Sequence, residues 1–386
     1  MEIDIYFKKI EFLNADFSAN SIGEKILINN GSNEFPELKG IDIAIFGVIE
    51  DRNAVSNNGC ADGIDEIRKK LYALKRNWNC SVADFGDVFP GEEVSDTYFA
   101  VSSVVSQCIK ENVLPIIIGG SQDITFANYQ AYEVLEQVVN IVSVDNAVDL
   151  GEVDQPINSK AFLNKIILHQ PNYLFSYSNL GYQTYFVSEE ERSLMDKLFF
   201  DIHRLGEVKN DIREVEPIVR NADMLSIDIS AVRSSDAPGN RNATPNGFNG
   251  EEICAITRYA GLSDKLSSIG IYEYNPAVDR QGQTAFLIAE MIWYIMEGYY
   301  NRKGDGVSKD GNDVLKYTVA TSTDADEIVF YKNLKSDRWW MDVPYPESKL
   351  SKYRRHQLVP CSYSDYQQAC NDGIPEKWWR NYKRLR

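Results

Sequence analysis

Three short apolar runs, each ending directly in a polar segment, constrain the fold of this 386-residue chain more than any other feature. Short continuous apolar runs with sharp polar ends predict buried strands of a parallel sheet. Because open α/β sheets bind their ligands beyond the carboxyl ends of the strands, the polar segments are predicted to meet in one crevice. The runs span residues 113–118, 141–144 and 224–227, and the polar segments read Gly-Gly-Ser-Gln at 119–122, Asp-Asn-Ala-Val-Asp at 145–149 and Ser-Ile-Asp-Ile-Ser at 226–230.

Strand and helix patterns alternate along the rest of the chain. An apolar strand at 41–48 precedes a helical pattern at 63–74, and a strand at 81–85 precedes a helical pattern at 96–111. This alternation is typical of βαβ units and of a parallel sheet. The pattern at 283–300 is apolar on most faces, so a helix there is predicted to pack closely on the sheet.

The order and spacing of the polar segments resemble the ureohydrolase family, which includes arginase, agmatinase and formimidoylglutamase. In that family the segments read Gly-Gly-Asp-His, Asp-Ala-His-x-Asp and Ser-x-Asp-x-Asp, and the third is followed by Ala-Pro-Gly, as at 237–239 here. The late Glu-Tyr-Asn-Pro at 273–276 resembles the Glu-Val-Asn-Pro of the family. Five motifs in the same order make an accidental match improbable.

The resemblance implies a fold and a division of the chain. We expect a three-layer α/β/α domain of the arginase/deacetylase type, with a central and mainly parallel sheet, over residues 1–300. Its core is expected at about 40–300. Residues 301–386 are expected to form a basic, aromatic-rich C-terminal extension that packs on this domain or on a partner.

The metal ligands of the family are only partly retained. The resemblance assigns six ligand positions, and two histidines and one carboxylate are absent from them. One ion site keeps three carboxylates, with an amide in place of the imidazole, whereas both private ligands of the second ion are replaced. The residual site is therefore expected to comprise Asp145, Asp149, Asp228 and Gln122, and the lost ligand positions are Gln122, Ala147 and Ser230.

These losses determine the functional expectation. The family mechanism uses a hydroxide that bridges two manganese ions, and without the second ion there is no bridge. We therefore expect no cofactor and a catalytically inactive pseudoenzyme that binds a protein or a small ligand. The alternative is a hydrolase of linear C–N bonds in amidines or guanidines, such as formimidoylglutamate. It would work with one divalent ion, namely Mn, Mg or Ca, or with a modified site.

Four further positions follow from the resemblance to the family. Asn158, Ser159 and Lys160 correspond to the substrate loop of its formimidoylglutamase branch, and Glu273 corresponds to a residue that orients the substrate. Without the family, Glu273 is simply a polar residue at the end of a strand.

An acidic site without metal needs a compensating charge, because its carboxylates repel one another. Lys160 replaces a glycine of the family loop, and Arg233 replaces an aspartate. Either side chain is a candidate for this compensation, and the alternative is that both point to solvent.

Charge is distributed unevenly along the chain. The whole sequence carries a net charge of −17, but residues 301–386 hold 16 Lys and Arg against 12 Asp and Glu, a net charge of +4. This contrast predicts that the extension contacts its own acidic body, a protein partner or another copy in a homo-oligomer. Nucleic acid is disfavoured, because the overall charge repels a polyanion.

The remaining features suggest an intracellular protein. Six cysteines are scattered without a framework, the amino terminus lacks the pattern of a secretory signal, and no segment is apolar enough to span a membrane. We therefore expect a cytoplasmic location. The three histidines lie outside every motif, with helical patterns predicted at 162–168 beside His169 and at 198–205 around His203. A strand is predicted at 327–331, either in the main sheet or in a small separate one.

Overall fold

A ten-stranded main sheet and a separate four-stranded sheet organise the computed structural model, which describes residues 3–11, 17–31, 34–152, 154–309, 311–321, 327–345 and 354–385. The main sheet has the order β1-β4-β3-β5-β10-β9-β6-β7-β8, and β2 also pairs with β4. All its pairings are parallel except that of β1 with β4. Its strands are β1 Phe7–Lys8, β2 Leu27–Ile28, β3 Ile43–Val48, β4 Val82–Val88, β5 Leu114–Ile118, β6 Val139–Val144, β7 Leu174–Tyr182, β8 Asp201–Arg204, β9 Met224–Asp228 and β10 Ser268–Tyr272.

Helices cover both faces of this sheet. Alternate residues of β3 point to opposite sides, so Ile43 and Ile45 pack with α2, α9 and α10, while Ala44 and Phe46 pack with α3 and α4. This three-layer α/β/α arrangement confirms the predicted fold class. The helices are α1 Ile22–Lys25, α2 Ile64–Ala73, α3 Val94–Lys110, α4 Ile124–Val134, α5 Phe162–Leu168, α6 Glu189–Lys197, α7 Leu205–Asn210, α8 Val215–Arg220, α9 Gly250–Gly261 and α10 Gln283–Tyr300.

The C-terminal extension contains the second sheet, which is antiparallel throughout. The predicted strand at 327–331 belongs to this sheet and not to the main one. Strand β11 covers Val314–Ala320, β12 Glu327–Asn333, β13 Trp339–Asp342 and β14 Leu358–Cys361, and the helices α11 Tyr363–Cys370 and α12 Glu376–Leu385 follow.

Basic residues of the extension contact acidic residues of the main domain. Arg355 Nη2 lies 3.0 Å from Asp223 Oδ1, and Arg338 Nε lies 3.1 Å from Glu216 Oε1. Arg380 bonds the Phe200 carbonyl oxygen as well as acidic side chains. The extension is therefore held to its own main domain by ion pairs across a shared boundary.

One helix prediction was wrong. The pattern at 198–205 does not form a helix, because Asp201–Arg204 pairs as β8 with β7 at the edge of the main sheet, and helix α7 begins only at Leu205. The predicted helix at 162–168 is confirmed as α5. Among the described residues, no helix is both long and apolar enough to cross a membrane.

Candidate metal and substrate site

The candidate site lies at the carboxyl ends of four adjacent strands, β5, β10, β9 and β6. Strand β9 ends at Asp228, while Asp145 directly follows β6 and Glu273 directly follows β10. The turn after β5 contains Gly120 with a φ of 71°, and a Cβ there would lie 2.4 Å from a backbone oxygen. Only glycine fits this turn, and the parallel sheet brings segments that are distant in sequence to one edge.

Asp145, Asp149 and Asp228 form a buried carboxylate cluster at this edge. One oxygen of each lies within 4.8 Å of the others, and no residue of the three is more than 5% exposed. Asp145 Oδ1 accepts the backbone N–H of Ala147 at 3.1 Å, and Asp228 Oδ1 accepts that of Ser230 at 2.7 Å. The carboxylates are thus fixed in position, and their repulsion demands a cation nearby.

The ammonium group of Lys160 lies against this cluster. Its Nζ donates to Asp228 Oδ2 at 3.0 Å and to Asp149 Oδ2 at 3.4 Å, and the side chain is 26% exposed. Burial alone would lower the pKa of Lys160, but the facing carboxylates outweigh it and hold that pKa well above the usual value. Lys160 therefore stays charged and offsets one of the three negative charges.

Two carboxyl groups still lack a full counter-charge. Burial raises the pKa of Asp149 to about 6 despite the opposing effect of Lys160. Burial and the charge of Asp149 raise the pKa of Asp145 further. Asp149 also has a φ of 52°, in the left-handed region that non-glycine residues seldom occupy. The cluster thus has the charge to accept one more cation, in a strained backbone of the kind found at functional sites.

Gln122 supplies a fourth oxygen that is suited to a metal. Its side chain is fully buried, and Nε2 donates to Asp145 Oδ2 at 2.7 Å. Its Oε1 is buried without a hydrogen-bond partner among the described residues. A buried acceptor without a donor is unfavourable, and a bound cation would satisfy it. The three carboxylates form a hard donor set that fits Mn²⁺, Mg²⁺ or Ca²⁺, and Gln122 would add its Oε1 to that set once its amide turned over, because Nε2 now faces Asp145.

Glu273 is held rigidly beside the cluster. Its Oε1 accepts the Gln122 backbone N–H at 3.0 Å, and its Oε2 accepts Asn57 Nδ2 at 2.7 Å. Burial, together with the charge of Asp228, raises the pKa of Glu273 to about 7. The residue has a φ of 68°, although a glutamate has no side-chain reason to prefer that conformation. Glu273 is therefore fixed, strained and able to exchange a proton near neutral pH.

The three loop residues behave differently from one another. Ser159 is fully buried and joins the loop to the segment after β3, because its Oγ accepts the Val55 N–H at 3.0 Å and its own N–H donates to the Asn53 carbonyl oxygen. Asn158 Oδ1 accepts the Lys160 backbone N–H at 2.8 Å. Asn158 and Ser159 thus hold the loop, and Lys160 alone reaches the carboxylates.

The other candidate cation, Arg233, lies elsewhere. Its Nε donates to Asp236 Oδ1 at 2.8 Å, and the side chain is 42% exposed. Of the lost ligand positions, Ala147 offers only a methyl group, and Ser230 Oγ accepts Asn146 Nδ2 at 3.2 Å. The second ion position therefore keeps no charged side chain of its own.

Sequence reasoning missed a basic cavity that Arg233 also lines. It has a volume of about 360 Å³ and lies between the end of β7, helix α7 and the turn at 245–247. Arg204, Lys209 and Arg233 line it, and none of the described lining residues is acidic. Gln183, another lining residue, donates its backbone N–H to the Asn146 carbonyl oxygen, one residue beyond Asp145. No motif marks this cavity, because its residues come from separate segments.

Comparisons with known proteins agree with this geometry. The sequence model described as the Arginase family matches residues 41–297. The formimidoylglutamase of Staphylococcus aureus strain JH9 is 25% identical over 271 residues, which cover 66% of this chain and 86% of that protein.

Solved structures of low identity share the fold. The Trypanosoma cruzi formiminoglutamase structure with Mn²⁺ has a TM-score of 0.64 at 19% identity, and it covers 70% of this chain and 97% of its own. The Bacillus subtilis formimidoylglutamase structure has a TM-score of 0.66 at 16% identity, with 76% and 97% covered.

One prediction from sequence needs correction at this point. We expected no cofactor, because three of six ligand positions have changed. That expectation is wrong, since the similar T. cruzi structure carries Mn²⁺, and in this chain Asp145, Asp149 and Asp228 remain grouped as a set that could hold a metal ion. Counting the missing ligands gave too little weight to the carboxylates that remain.

Proposed function

The chain belongs to the arginase family, and from that premise we propose that it is a formimidoylglutamase-like hydrolase that cleaves linear C–N bonds of amidines with a single divalent cation. The observation that carries the proposal is the buried cluster of Asp145, Asp149 and Asp228 with the Lys160 ammonium beside it. Three carboxylates carry three negative charges. One divalent cation together with one ammonium balances them.

The same charge balance accounts for Lys160. The family pattern has four carboxylates and two divalent ions, so its charges also cancel. At the second ion position this chain lacks one carboxylate, at Ser230, and is proposed to lack the ion. The difference is one missing positive charge, and the Lys160 ammonium supplies it 3.0 Å from Asp228, which is one of the two carboxylates that both ions of the family share.

The residues that would hold the cation are Asp145, Asp149, Asp228 and Gln122. The free Oε1 of Gln122 and the raised pKa of Asp149 both support a cation there. When bound, a divalent cation lowers the pKa of water, so that water can act as a nucleophile near neutral pH. Lys160 keeps the cluster compact and its charge low, because it bonds two of the three carboxylates.

Glu273 is proposed to bind the amidine and to handle a proton. Its carboxyl group is fixed by Gln122 and Asn57, so a substrate N–H can meet it without reorganisation. With a pKa of about 7, the carboxyl group can take up a proton and return it to the departing nitrogen. Water adds to the amidine carbon, the C–N bond breaks, and formimidoylglutamate would give formamide and glutamate.

The basic cavity supports an anionic substrate. Arg204, Lys209 and Arg233 line it beside the carboxyl end of β7, and they would attract the carboxylates of an amidine such as formimidoylglutamate. Agmatine is a cation without a carboxylate, so the same side chains would repel it. We therefore propose a preference for acidic amidines over agmatine.

A second candidate function is supported by the lost ligands. Ala147 cannot coordinate an ion, and Lys160 bonds the carboxylates directly, as expected if the site no longer carries out catalysis. In this version the chain is a pseudoenzyme that binds a ligand in the crevice. We propose that residues 301–386, beyond the end of the family match at 297, would then contact a protein partner or a second copy of the chain.

Metal content and formamide release, measured on the same preparation, test the proposal. The full chain is loaded with Mn²⁺, its metal per chain is determined, and formamide is followed with formimidoylglutamate, while urea is followed with arginine and agmatine. The proposal expects one Mn²⁺ per chain and turnover of formimidoylglutamate only. Bound metal without any turnover would reject the hydrolase and favour the pseudoenzyme.

A matched pair of variants ties the result to the site. Asp149→Asn removes one carboxylate of the cluster and should abolish both metal binding and turnover. Asp154→Asn changes an exposed aspartate of the same connecting segment and should leave both unchanged. Equal effects of the two variants would contradict the assignment of the cluster.

A further inference from the structure

A second cavity, of about 220 Å³, lies between the main domain and the C-terminal extension. Its lining residues Arg220 and Asn221 precede β9, at the opposite end of that strand from Asp228, and all the extension residues that line it lie beyond the family match, which ends at 297. Both parts of the chain contribute charged or aromatic side chains to its lining, namely Arg220, Asp264 and Lys265 from the main domain and Asp305, Trp340 and Arg355 from the extension.

Arg220 is the most deeply buried cation of this cavity. It ends helix α8 and is 4% exposed. Its Nε donates to Glu216 Oε1 at 2.9 Å, and its Nη2 donates to the carbonyl oxygens of Trp339 and Cys361. The guanidinium carbon lies 4.2 Å from the ring centre of Trp340. Arg220 therefore connects the main domain to β13 and β14 and is fixed in orientation.

One nitrogen of this guanidinium has no acceptor in the part of the chain that the structure describes. Arg220 Nη1 is buried without a hydrogen-bond partner among the described residues. A buried charged donor left unpaired is costly, and such groups in folded proteins are almost always satisfied. Burial also lowers the pKa of Arg220, which indicates that its charge is incompletely compensated. An acceptor oxygen bound in the cavity would complete its hydrogen bonds.

Cations around the cavity share too few carboxylates. Glu216 pairs with both Arg220 and Arg338, at 2.9 Å and 3.1 Å. Asp223 pairs with both Lys265 and Arg355, at 3.6 Å and 3.0 Å. Each of these two carboxylates therefore serves two cations, which leaves positive charge available to a ligand.

The two acidic lining residues do not remove this excess. Asp305 Oδ2 is taken by Arg338 Nη1 at 3.0 Å. Asp264 Oδ2 accepts the Asp305 backbone N–H at 2.8 Å, and burial raises the pKa of Asp264. Four cations thus face three carboxylates that are already paired and Asp264, which accepts a backbone N–H and whose pKa is raised by burial.

We propose that this cavity binds a small oxyanion, a phosphate or a carboxylate, through hydrogen bonds from Arg220 Nη1 and Arg355 and through the charge of the Lys265 ammonium, whose Nζ already donates to Asn221. The anion would contact residues of both the main domain and the extension, so its binding would stabilise the junction between them. The size of the cavity suits inorganic phosphate or a short dicarboxylate. The site is independent of the proposed hydrolase, because none of its residues belongs to the carboxylate cluster or the basic cavity.

Calorimetric titration of the full chain at constant ionic strength tests the proposal, with inorganic phosphate in one arm and malonate in the other. We expect saturable binding of one anion per chain, and the tighter arm identifies the preferred chemistry. Arg355→Met and Lys265→Met should each weaken binding at least tenfold. Arg213→Met removes an exposed arginine that is likewise paired with one aspartate, and it should change the affinity less than twofold.

The basic cavity of the candidate site is the competing location for an anion. Arg204→Met removes a cation from that cavity and should leave the measured affinity unchanged. The proposal is overturned if neither anion binds saturably to the wild-type chain. It is also overturned if binding is lost in Arg204→Met but retained in Arg355→Met and Lys265→Met.

Discussion

Lys160 Nζ lies 3.0 Å from Asp228 Oδ2, so an ammonium group occupies the carboxylate cluster at which the family would hold metal. The two residues are 68 positions apart and come from a loop and the end of a buried strand. Because of this contact, the positive charge of Lys160 affects how strongly the carboxylate cluster can bind a metal ion.

Replacing Lys160 with methionine should strengthen the binding of divalent cations. The change removes a positive charge and a competitor from the cluster, and we expect Mn²⁺ affinity to rise about tenfold, or about 1.4 kcal/mol. The affinity is measured by titration with Mn²⁺, with the free ion monitored by electron paramagnetic resonance. Lys165→Met, on helix α5 five residues later, is the control. Unchanged affinity in Lys160→Met would show that Lys160 does not compete with the ion.

Metal-free protein should lose stability as pH rises from about 4 to 6. The pKa of Asp149 is raised from 3.8 to about 6, so in this window the folded chain holds a proton that the unfolded chain has released. The free energy of unfolding should therefore fall by about 3 kcal/mol across it. Asp145, whose pKa is also raised, adds to this slope, whereas the raised pKa of Lys160 acts only in alkaline solution.

Urea unfolding with a chelator present, at several pH values, measures this dependence. Asp149→Asn should flatten the curve, and excess Mn²⁺ should remove the decline, because the ion binds the ionised carboxylates. A wild-type curve that rises steadily from pH 4 to 6 would contradict the charge assignment of the cluster.

Restoring the family residues at the second ion position should restore a second ion. Ser230 Oγ already accepts a bond from Asn146 Nδ2, so an aspartate there would find a donor. We expect the triple variant with Ala147→His, Ser230→Asp and Lys160→Gly to bind two Mn²⁺ per chain, and the proposed wild-type value is one. Elemental analysis gives the count, with Ala147→His alone as the control. A triple variant that still binds one ion would show that backbone geometry, and not ligand identity, blocks the second position.

A buried group of ion pairs between helix α2 and strand β4 should contribute strongly to stability. Arg68 is fully buried and bonds both oxygens of Asp84 at 2.9 Å and Asp87 Oδ1 at 2.6 Å. Arg68→Met would leave those carboxylates without their cation and should lower the free energy of unfolding by about 3–5 kcal/mol. Lys69→Met, next to it but exposed, should cost less than about 1 kcal/mol. Denaturant unfolding compares them, and similar losses would contradict the prediction.

Two neighbouring tryptophans of helix α12 should differ sharply in how much each contributes to stability. Trp378 is 2% exposed, donates Nε1–H to the Asp342 carbonyl oxygen at 2.8 Å and stacks on Tyr382. Trp378→Ala should lower the stability of the extension by about 3–5 kcal/mol through the cavity it creates. Trp379 is 36% exposed, so Trp379→Ala should cost about 1 kcal/mol or less. Urea unfolding followed by far-ultraviolet circular dichroism measures both, and an equal cost would place Trp379 in the core as well.

The sequence predicted the elements that depend on local pattern. The apolar runs before Asp145 and Asp228 do form buried strands, because continuous apolar residues of that length suit a sheet covered on both faces. The helix predicted at 198–205 was wrong. The spacing of these residues fits a helix, but Asp201–Arg204 pairs with the exposed edge of β7.

The sequence could not predict which cation reaches the carboxylates, because that depends on the path of a loop in the folded chain. Lys160 and Arg233 were equal candidates for the compensating charge, and only the path of the loop, held by Ser159 and Asn158, brings Lys160 to the carboxylates. The basic cavity and the unpaired Arg220 Nη1 could not be predicted from the sequence either, since each results from contacts between segments that share no motif.

The pairing of β9 with both β6 and β10 also bears on how the chain acquires its structure. About 80 residues separate Val144 from Met224, so this part of the sheet has a high contact order, and closing such a long loop slows folding. Asp145 and Asp228 meet only after that closure. During synthesis the repulsion of Asp228 against the other two carboxylates therefore arises late, when the Lys160 loop has already left the ribosome, and the chain carries its own counter-charge before any ion has to be captured.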